Sequence, residues 1–307
     1  MSIVRNLAVS AAVIAAAGAA VAWFLTAPSK VDALMLEALE TGDPTRGEQV
    51  FWAGGCASCH AAPQASGEDR LVLAGEVRLQ TEFGTFVAPN ISPHPQDGIG
   101  GWSVGDLANA MLHGVSPQGQ HYYPAFPYAS YTRMKPQDIA DLHAFMATLP
   151  PVEGRAPENE LSFPFTMRRG VGLWKLLFLD GSPAVALADP SPEIARGQYL
   201  VEGPGHCGEC HTPRNALGGL DASRWLAGAR AAEGDGTVPN LTSGEGGLSD
   251  WSEDDIAYLL ESGFTPEFDS VGGSMASVIH NMAQLPASDR EAIAAYLKAI
   301  PEHADAY

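Results

Sequence analysis

Cysteine is scarce in this chain, with four in 307 residues, too few for a disulfide scaffold. Basic side chains are also few: 17 Lys and Arg stand against 36 Asp and Glu, a formal charge of −19. A polyanionic partner would be repelled by such a surface, which argues against nucleic-acid binding. From 231 to 289 there is no Lys or Arg at all, while eleven acids occur. No strand-like alternation of any length is apparent, so the expected fold class is all-α. A hydrophobic content of 46% with 17% charged residues excludes wholesale disorder, and the length suggests two domains.

One long apolar run is present. Between Arg5 and Lys30 lie 24 residues without a charge, and about 20 such residues in a helix span the roughly 30 Å of a bilayer core. The apolar run continues through Trp23-Phe24-Leu25, beyond a cleavage box readable at Ala20-Val21-Ala22. The expectation is an N-terminal membrane anchor over 1–30, with a removed secretion signal as the alternative. Arg5 is the positive residue on the short side, which places the remainder outside the cytoplasm.

The rest of the chain repeats. Arg46-Gly47 matches Arg196-Gly197 at an offset of 150, Cys56 matches Cys207 at 151, and Pro89-Asn90-Ile91 matches Pro239-Asn240-Leu241 at 150. Trp102-Ser103 matches Trp251-Ser252 at 149, Gly114 matches Gly263 at 149, and Leu149-Pro150 matches Ile300-Pro301 at 151. Ordered anchors at so steady an offset predict a tandem duplication: modules over 31–150 and 190–307, with a connector over 151–189. Two copies are too few for a solenoid. Thr45 is a candidate cap for a helix running up to Gly54-Gly55. Ser103 and Ser252 stand where N-caps belong, and Gly114 and Gly263 where those helices stop. The last helix of each module carries apolar residues at i, i+3 and i+4 spacing: Ile139, Leu142, Phe145 and Met146, then Ile293, Tyr296 and Leu297. The connector's run Leu173-Trp174-Lys175-Leu176-Leu177-Phe178 predicts a helix packing between the modules, with membrane-surface contact as the alternative.

Each module contains one Cys-x-x-Cys-His, at Cys56-Ala-Ser-Cys59-His60 and Cys207-Gly-Glu-Cys210-His211. Two thiols about one helical turn apart can form thioethers with the two vinyl groups of one haem, and the adjacent imidazole then faces the iron. Zinc held by four cysteines would need both pairs in one site, whereas these pairs fall at equivalent points of two modules. A redox dithiol wants a βαβ context that is absent. The pattern predicts two covalently bound haem c groups, attached at Cys56, Cys59, Cys207 and Cys210, with His60 and His211 as iron ligands. A methionine thioether in the sixth position would favour electron transfer; an open position would allow binding of peroxide or gases. Met134, just before the last helix of module 1, and Met275, in the flexible Gly272-Gly273-Ser274-Met275, are the expected sulfur ligands. No catalytic residue is expected.

Several segments carry a family resemblance: Arg-Gly-x-x-x-Phe before the first cysteine pair, Ala88-Pro89-Asn90-Ile91, Gly98-Ile99-Gly100-Gly101-Trp102-Ser103, Tyr123-Pro124-Ala125-Phe126-Pro127-Tyr128 and Leu149-Pro150-Pro151. The chain resembles membrane-anchored dihaem cytochromes c, similar to the cytochrome subunits of periplasmic alcohol and gluconate dehydrogenases. One departure is that those subunits often read Pro-Ala-Met-Pro-Tyr, with the Met as haem ligand, where this chain has Phe126. The resemblance implies two tandem cytochrome c-like domains behind a transmembrane helix. It further implies a non-enzymatic electron carrier of the bacterial inner membrane with its haem domains in the periplasm. A periplasmic dehydrogenase would be the donor, and an oxidase or another cytochrome the acceptor; a dihaem peroxidase is the alternative. It also implies contact of Gly47 and Phe51 with Leu142 and Phe145, and of Gly197 and Val201 with Ile293 and Tyr296. The Pro89 and Pro239 carbonyls become candidate acceptors for the Nδ1–H of His60 and His211.

Overall fold

The computed structural model describes residues 2–231 and 236–307; Glu233 and Asp235 of the acidic stretch lie outside them. The chain opens with α1 (Ser2–Leu25), long and apolar enough to cross a membrane and with none of its apolar window buried in the protein. In the first half follow α2 (Ala33–Glu37), α3 (Pro44–Ala53), α4 (Cys56–His60), α5 (Val104–His113), α6 (Tyr128–Tyr131) and α7 (Pro136–Met146). The connector contributes α8 (Val171–Phe178). The second half contains α9 (Pro192–Glu202), α10 (Gly208–His211), α11 (Glu253–Ser262), α12 (Ser274–Met282) and α13 (Ala287–Ala299).

The fold is mostly helical, and the all-α expectation needs one correction. Strands β1 (Arg78–Thr81) and β2 (Gly84–Val87) form an antiparallel hairpin, joined by β3 (Glu160–Leu161) from the connector. Further on, β4 (Ala229–Arg230) pairs with β5 (Thr237–Val238). Segments of two to four residues are too short to show a period, so alternation could not disclose them. The hairpin ties the connector to the first half: Thr85 is opposite Glu160, and Arg78 pairs with Glu160 at 2.6 Å.

Helix boundaries follow capping chemistry. Ser103 and Ser252 each close a capping box, with Asp106 and Asp255 returning the bond to the cap backbone. Gly114 and Gly263 end those helices in the left-handed region, at φ 58° and 78°, where glycine has no Cβ penalty. The cap of α3 is Asp43 and not Thr45: its carboxylate accepts from the Thr45 and Arg46 N–H groups, and Pro44 occupies N1, where a missing N–H costs nothing.

Two helix crossings form the cores. Where α3 crosses α7, a Cβ on Gly47 would lie 2.8 Å from Phe145 Cβ, and the rings of Phe51 and Phe145 meet at 5.3 Å. Leu142 is buried beside them. Where α9 crosses α13, Gly197 has the same closeness to Tyr296, with Val201 and Tyr296 fully buried. Each crossing is clamped by a bidentate ion pair, Arg46 to Asp141 and Arg196 to Asp289. Only glycine permits such approach, which is why both Arg-Gly pairs recur at the repeat offset.

The halves dock reciprocally. Asn281 and Ser277 on α12 both bond Ser58 on α4 at 2.8 Å. In return, Ser130 on α6 donates to Glu209 on α10 at 2.8 Å. The Tyr131 hydroxyl donates to the Gly54 carbonyl, while its ring lies against His206.

Candidate haem-attachment sites

In each half the long first helix ends at glycines, and the chain turns directly into a short helix carrying Cys-x-x-Cys-His. Before α4, Gly55 adopts the left-handed conformation at φ 60°. The loops that follow repeat one hydrogen-bond pattern. The Gly75 N–H donates to the His60 carbonyl and that of Gly228 to the His211 carbonyl, both at 2.8 Å. The Ile91 N–H donates to Leu73 and that of Leu241 to Leu226. Asn90 and Asn240 are buried and donate through Nδ2 to carbonyls near the end of each half, Val152 and His303. These bonds hold the Pro89 and Pro239 carbonyls in place, and each accepts from the imidazole Nδ1 of His60 or His211 at 2.8 Å. The expected acceptor role of both prolines is therefore met.

With Nδ1 occupied as donor, Nε2 presents its lone pair. Burial holds both imidazoles below the ordinary histidine value, against the opposing pull of the proline carbonyls; a neutral ring is the form that ligates iron. No disulfide forms among the four cysteines. Burial pushes the Cys56 and Cys207 thiols up to about 12 and raises Cys210 as well. Burial thus keeps these thiols neutral, and a neutral thioether suits the same surroundings. Among the described residues no cluster of three or more His, Cys, Asp or Glu could hold a metal ion.

One buried group fits haem in another way. Arg70 is 7% exposed, donates through Nη2 to Asn281 Oδ1, and keeps a buried Nε without a partner. It forms no ion pair with an acidic side chain among the described residues, and burial lowers its pKa. A haem propionate is the type of group such a guanidinium lacks. The attachment residues, the free Nε2 positions and this orphaned donor together fit haem c.

The two methionines sit differently. Met275 stands in the first turn of α12, partly buried against the core. Met134 is 4% exposed, and its Cγ lies 3.8 Å from where a Cβ on Gly203 would be, so it packs toward the second half. The register between halves can be counted from matched bonds: Val115 bridges His121 as Phe264 bridges Ser270, and the Tyr122 N–H reaches Gly114 as the Val271 N–H reaches Gly263. Counting onward from these bonds puts Phe126 at the position of Met275. Phe126 packs its ring against Tyr122, Tyr128 and Tyr131. Met134 remains the only sulfur between Gly114 and α7.

Sequence reasoning missed the docking residues Ser58, Arg70 and Asn281; the last lies more than 200 positions from the other two, and none carries a local pattern. It also missed Lys175, the connector's buried lysine, whose Nζ donates to the His113 and Gly114 carbonyls at 2.6 and 2.7 Å.

A family model described as cytochrome c matches residues 44–150. The chain is 57% identical over 298 residues to a diheme cytochrome c-type protein of Cereibacter sphaeroides, covering 97% of this chain and 98% of that one. It is 34% identical to the fructose dehydrogenase cytochrome subunit of Gluconobacter japonicus, over 85% of this chain and 53% of that subunit. It is 36% identical to the cytochrome c subunit of a quinone alcohol dehydrogenase of Gluconobacter oxydans, over 83% and 54% respectively. The chain therefore spans about half the length of these dehydrogenase subunits.

Proposed function

The chain belongs to the diheme c-type cytochromes related to dehydrogenase cytochrome subunits, and from that premise we propose that it relays electrons from a periplasmic dehydrogenase to the respiratory chain. It carries two covalently bound haem c groups and acts in electron transfer, not catalysis. The observation that carries this reading is the recurrence, in both halves, of Cys-x-x-Cys-His with its imidazole held at 2.8 Å by a proline carbonyl.

In this reading the chain is an anchor over 1–30, a haem domain over 31–150, a connector over 151–189 and a second haem domain over 190–307. Bound haem c supplies a one-electron carrier. Cys56 and Cys59, and Cys207 and Cys210, would tether it as thioethers; the Nε2 atoms of His60 and His211 and the sulfurs of Met134 and Met275 would hold its iron, the sulfurs favouring the reduced state. The Nδ1 bonds to Pro89 and Pro239 fix each imidazole's orientation and raise its basicity. Helix α1 keeps the chain at the periplasmic face of the inner membrane, raising its effective concentration beside membrane-bound partners. The acceptor is a terminal oxidase or another cytochrome. Exposed acids on and around α11, among them Glu253, Asp254, Glu261 and Glu267, give the second half a field that steers a basic partner.

The test is substrate-driven respiration in membranes of the host. With the oxidase blocked, substrate of the donor dehydrogenase should reduce the c-type absorbance of this chain, and deletion of the chain should lower substrate-driven oxygen uptake. Uptake unchanged by deletion, with no haem reduction, would contradict the relay.

A further inference from the structure

Helix α8 is built inside out. Its one charged residue, Lys175, is 9% exposed and turned inward with Val171 and Gly172, capping the carbonyls that end α5. Its leucines point the other way: Leu173, Leu176 and Leu177 are 53%, 56% and 67% exposed. The segment leading into α8 adds Phe163 at 78%, Phe165 at 41% and Met167 at 56%. The other face does pack between the halves, as Trp174 donates to the Leu217 carbonyl and Phe178 covers Gly219. That packing leaves an apolar shelf facing outward, and isolated exposed hydrophobics do not account for so contiguous a set.

The shelf begins where α1 ends. Arg169 donates to the Trp23 carbonyl and stacks over the Trp23 ring at 4.2 Å. Gly172 packs on Thr26, and the Thr26 carbonyl accepts from His121 Nε2 at 2.9 Å. Tryptophan at the end of an apolar helix marks the level where a span leaves the hydrocarbon. The charge agrees with that level. From Leu161 to Leu179 there is no acid, and Arg168 and Arg169 stand just before α8 in a chain of −19. An anionic leaflet repels most of this protein and attracts this stretch.

We propose that the shelf formed by Phe163 to Met167 and α8 is seated in the interfacial layer of the bilayer, as a second membrane contact that fixes the orientation of the haem domains above the surface. This rests on the reading of α1 as a membrane span. The occupant is phospholipid: leucines enter the acyl boundary while arginines at the start of α8 meet the phosphates, the arrangement of an interfacial helix.

The test uses the full haem-loaded chain in vesicles of phosphatidylethanolamine and phosphatidylglycerol, with the native cysteines consumed as thioethers. Nitroxide labels are placed singly at Val13→Cys in α1, Leu176→Cys on the shelf and Phe268→Cys, which is 84% exposed on the second half, and collisions with oxygen and with a water-soluble nickel chelate are measured. An unchanged haem spectrum reports that each variant is folded. The proposal expects oxygen to dominate at positions 13 and 176, and the nickel chelate at 268. Nickel access at 176 with position 13 in lipid overturns the shelf and leaves the anchor intact. Shielding of 176 from both reagents means a protein contact and also overturns it. Nickel access at position 13 removes the anchor reading and the shelf with it.

Discussion

Replacing Gly197 by alanine is a sharp test of the packing that supports the second site. A Cβ there would stand 2.6 Å from the Ala292 carbonyl carbon and 2.8 Å from Tyr296 Cβ, whereas non-bonded carbons rest at about 3.5–4.0 Å. Both obstacles belong to the α13 backbone or its first side-chain atom, so neither can rotate away, and the helices must part by about 1 Å. Overpacking of this kind costs about 1–3 kcal/mol, and rigid backbone on the facing helix puts this site at the upper end. Alanine recovers about 1 kcal/mol of helix propensity, leaving a net loss of about 2 kcal/mol. Guanidinium unfolding of the haem-loaded protein, followed by helical circular dichroism, should show the lower midpoint, and Gly47→Ala should behave alike in the first half. Gly105→Ala is the control: its Cβ meets only side-chain atoms, the end of Leu36 at 3.0 Å and Ser103 Oγ at an ordinary 3.6 Å, and should leave stability unchanged or raised. A Gly197→Ala protein as stable as the parent would refute the crossing.

Asp141 is held below the ordinary carboxylate value of 3.8; burial works against this, and bonds from Arg46, the Asp43 N–H and Gln137 outweigh it. Its contribution to stability is therefore present above pH 3.8 and lost as pH falls through the lowered folded value, so Asp141→Asn should lower the denaturation midpoint at neutral pH and the gap to the parent should close in acid. Electron transfer from the second half to a basic soluble acceptor should slow steeply with added salt and with neutralisation of Glu253, Asp254 and Glu261; a rate indifferent to ionic strength would count against steering. Met275→Ala and Met134→Ala should each remove one sulfur-to-iron charge-transfer band from the ferric spectrum. Band intensity unchanged by Met134→Ala would mean that the first half has no methionine ligand.

Much of this architecture was legible because it is repeated. The capping serines, the terminating glycines and the two Arg-Gly crossings each appear twice, so a local signal that is weak alone gains weight from its copy. The proline carbonyls became legible in the same way, since Pro89 and Pro239 precede the paired Asn90 and Asn240 at one offset. What escaped has physical reasons. Strands of two to four residues have no period, and the docking of Arg70 and Ser58 on Asn281 links positions far apart in the chain. Nothing local marks Lys175 as buried; it is the carbonyls at the end of α5 that turn it inward. Met134 stands next to the last helix in sequence, while the turn leading into that helix, with the Met134 N–H on the Tyr131 carbonyl as the Leu285 N–H is on that of Met282, sets it opposite Leu285, a buried core residue.

The central claim is that each half binds its own haem, and the mass of the denatured mature protein tests it most directly. Covalent attachment survives unfolding, so the chain should carry two haem masses. Cys56→Ala with Cys59→Ala should remove one of them, and Cys207→Ala with Cys210→Ala the other. A denatured chain at its bare polypeptide mass, or one that loses both haems when a single pair is replaced, would contradict the account.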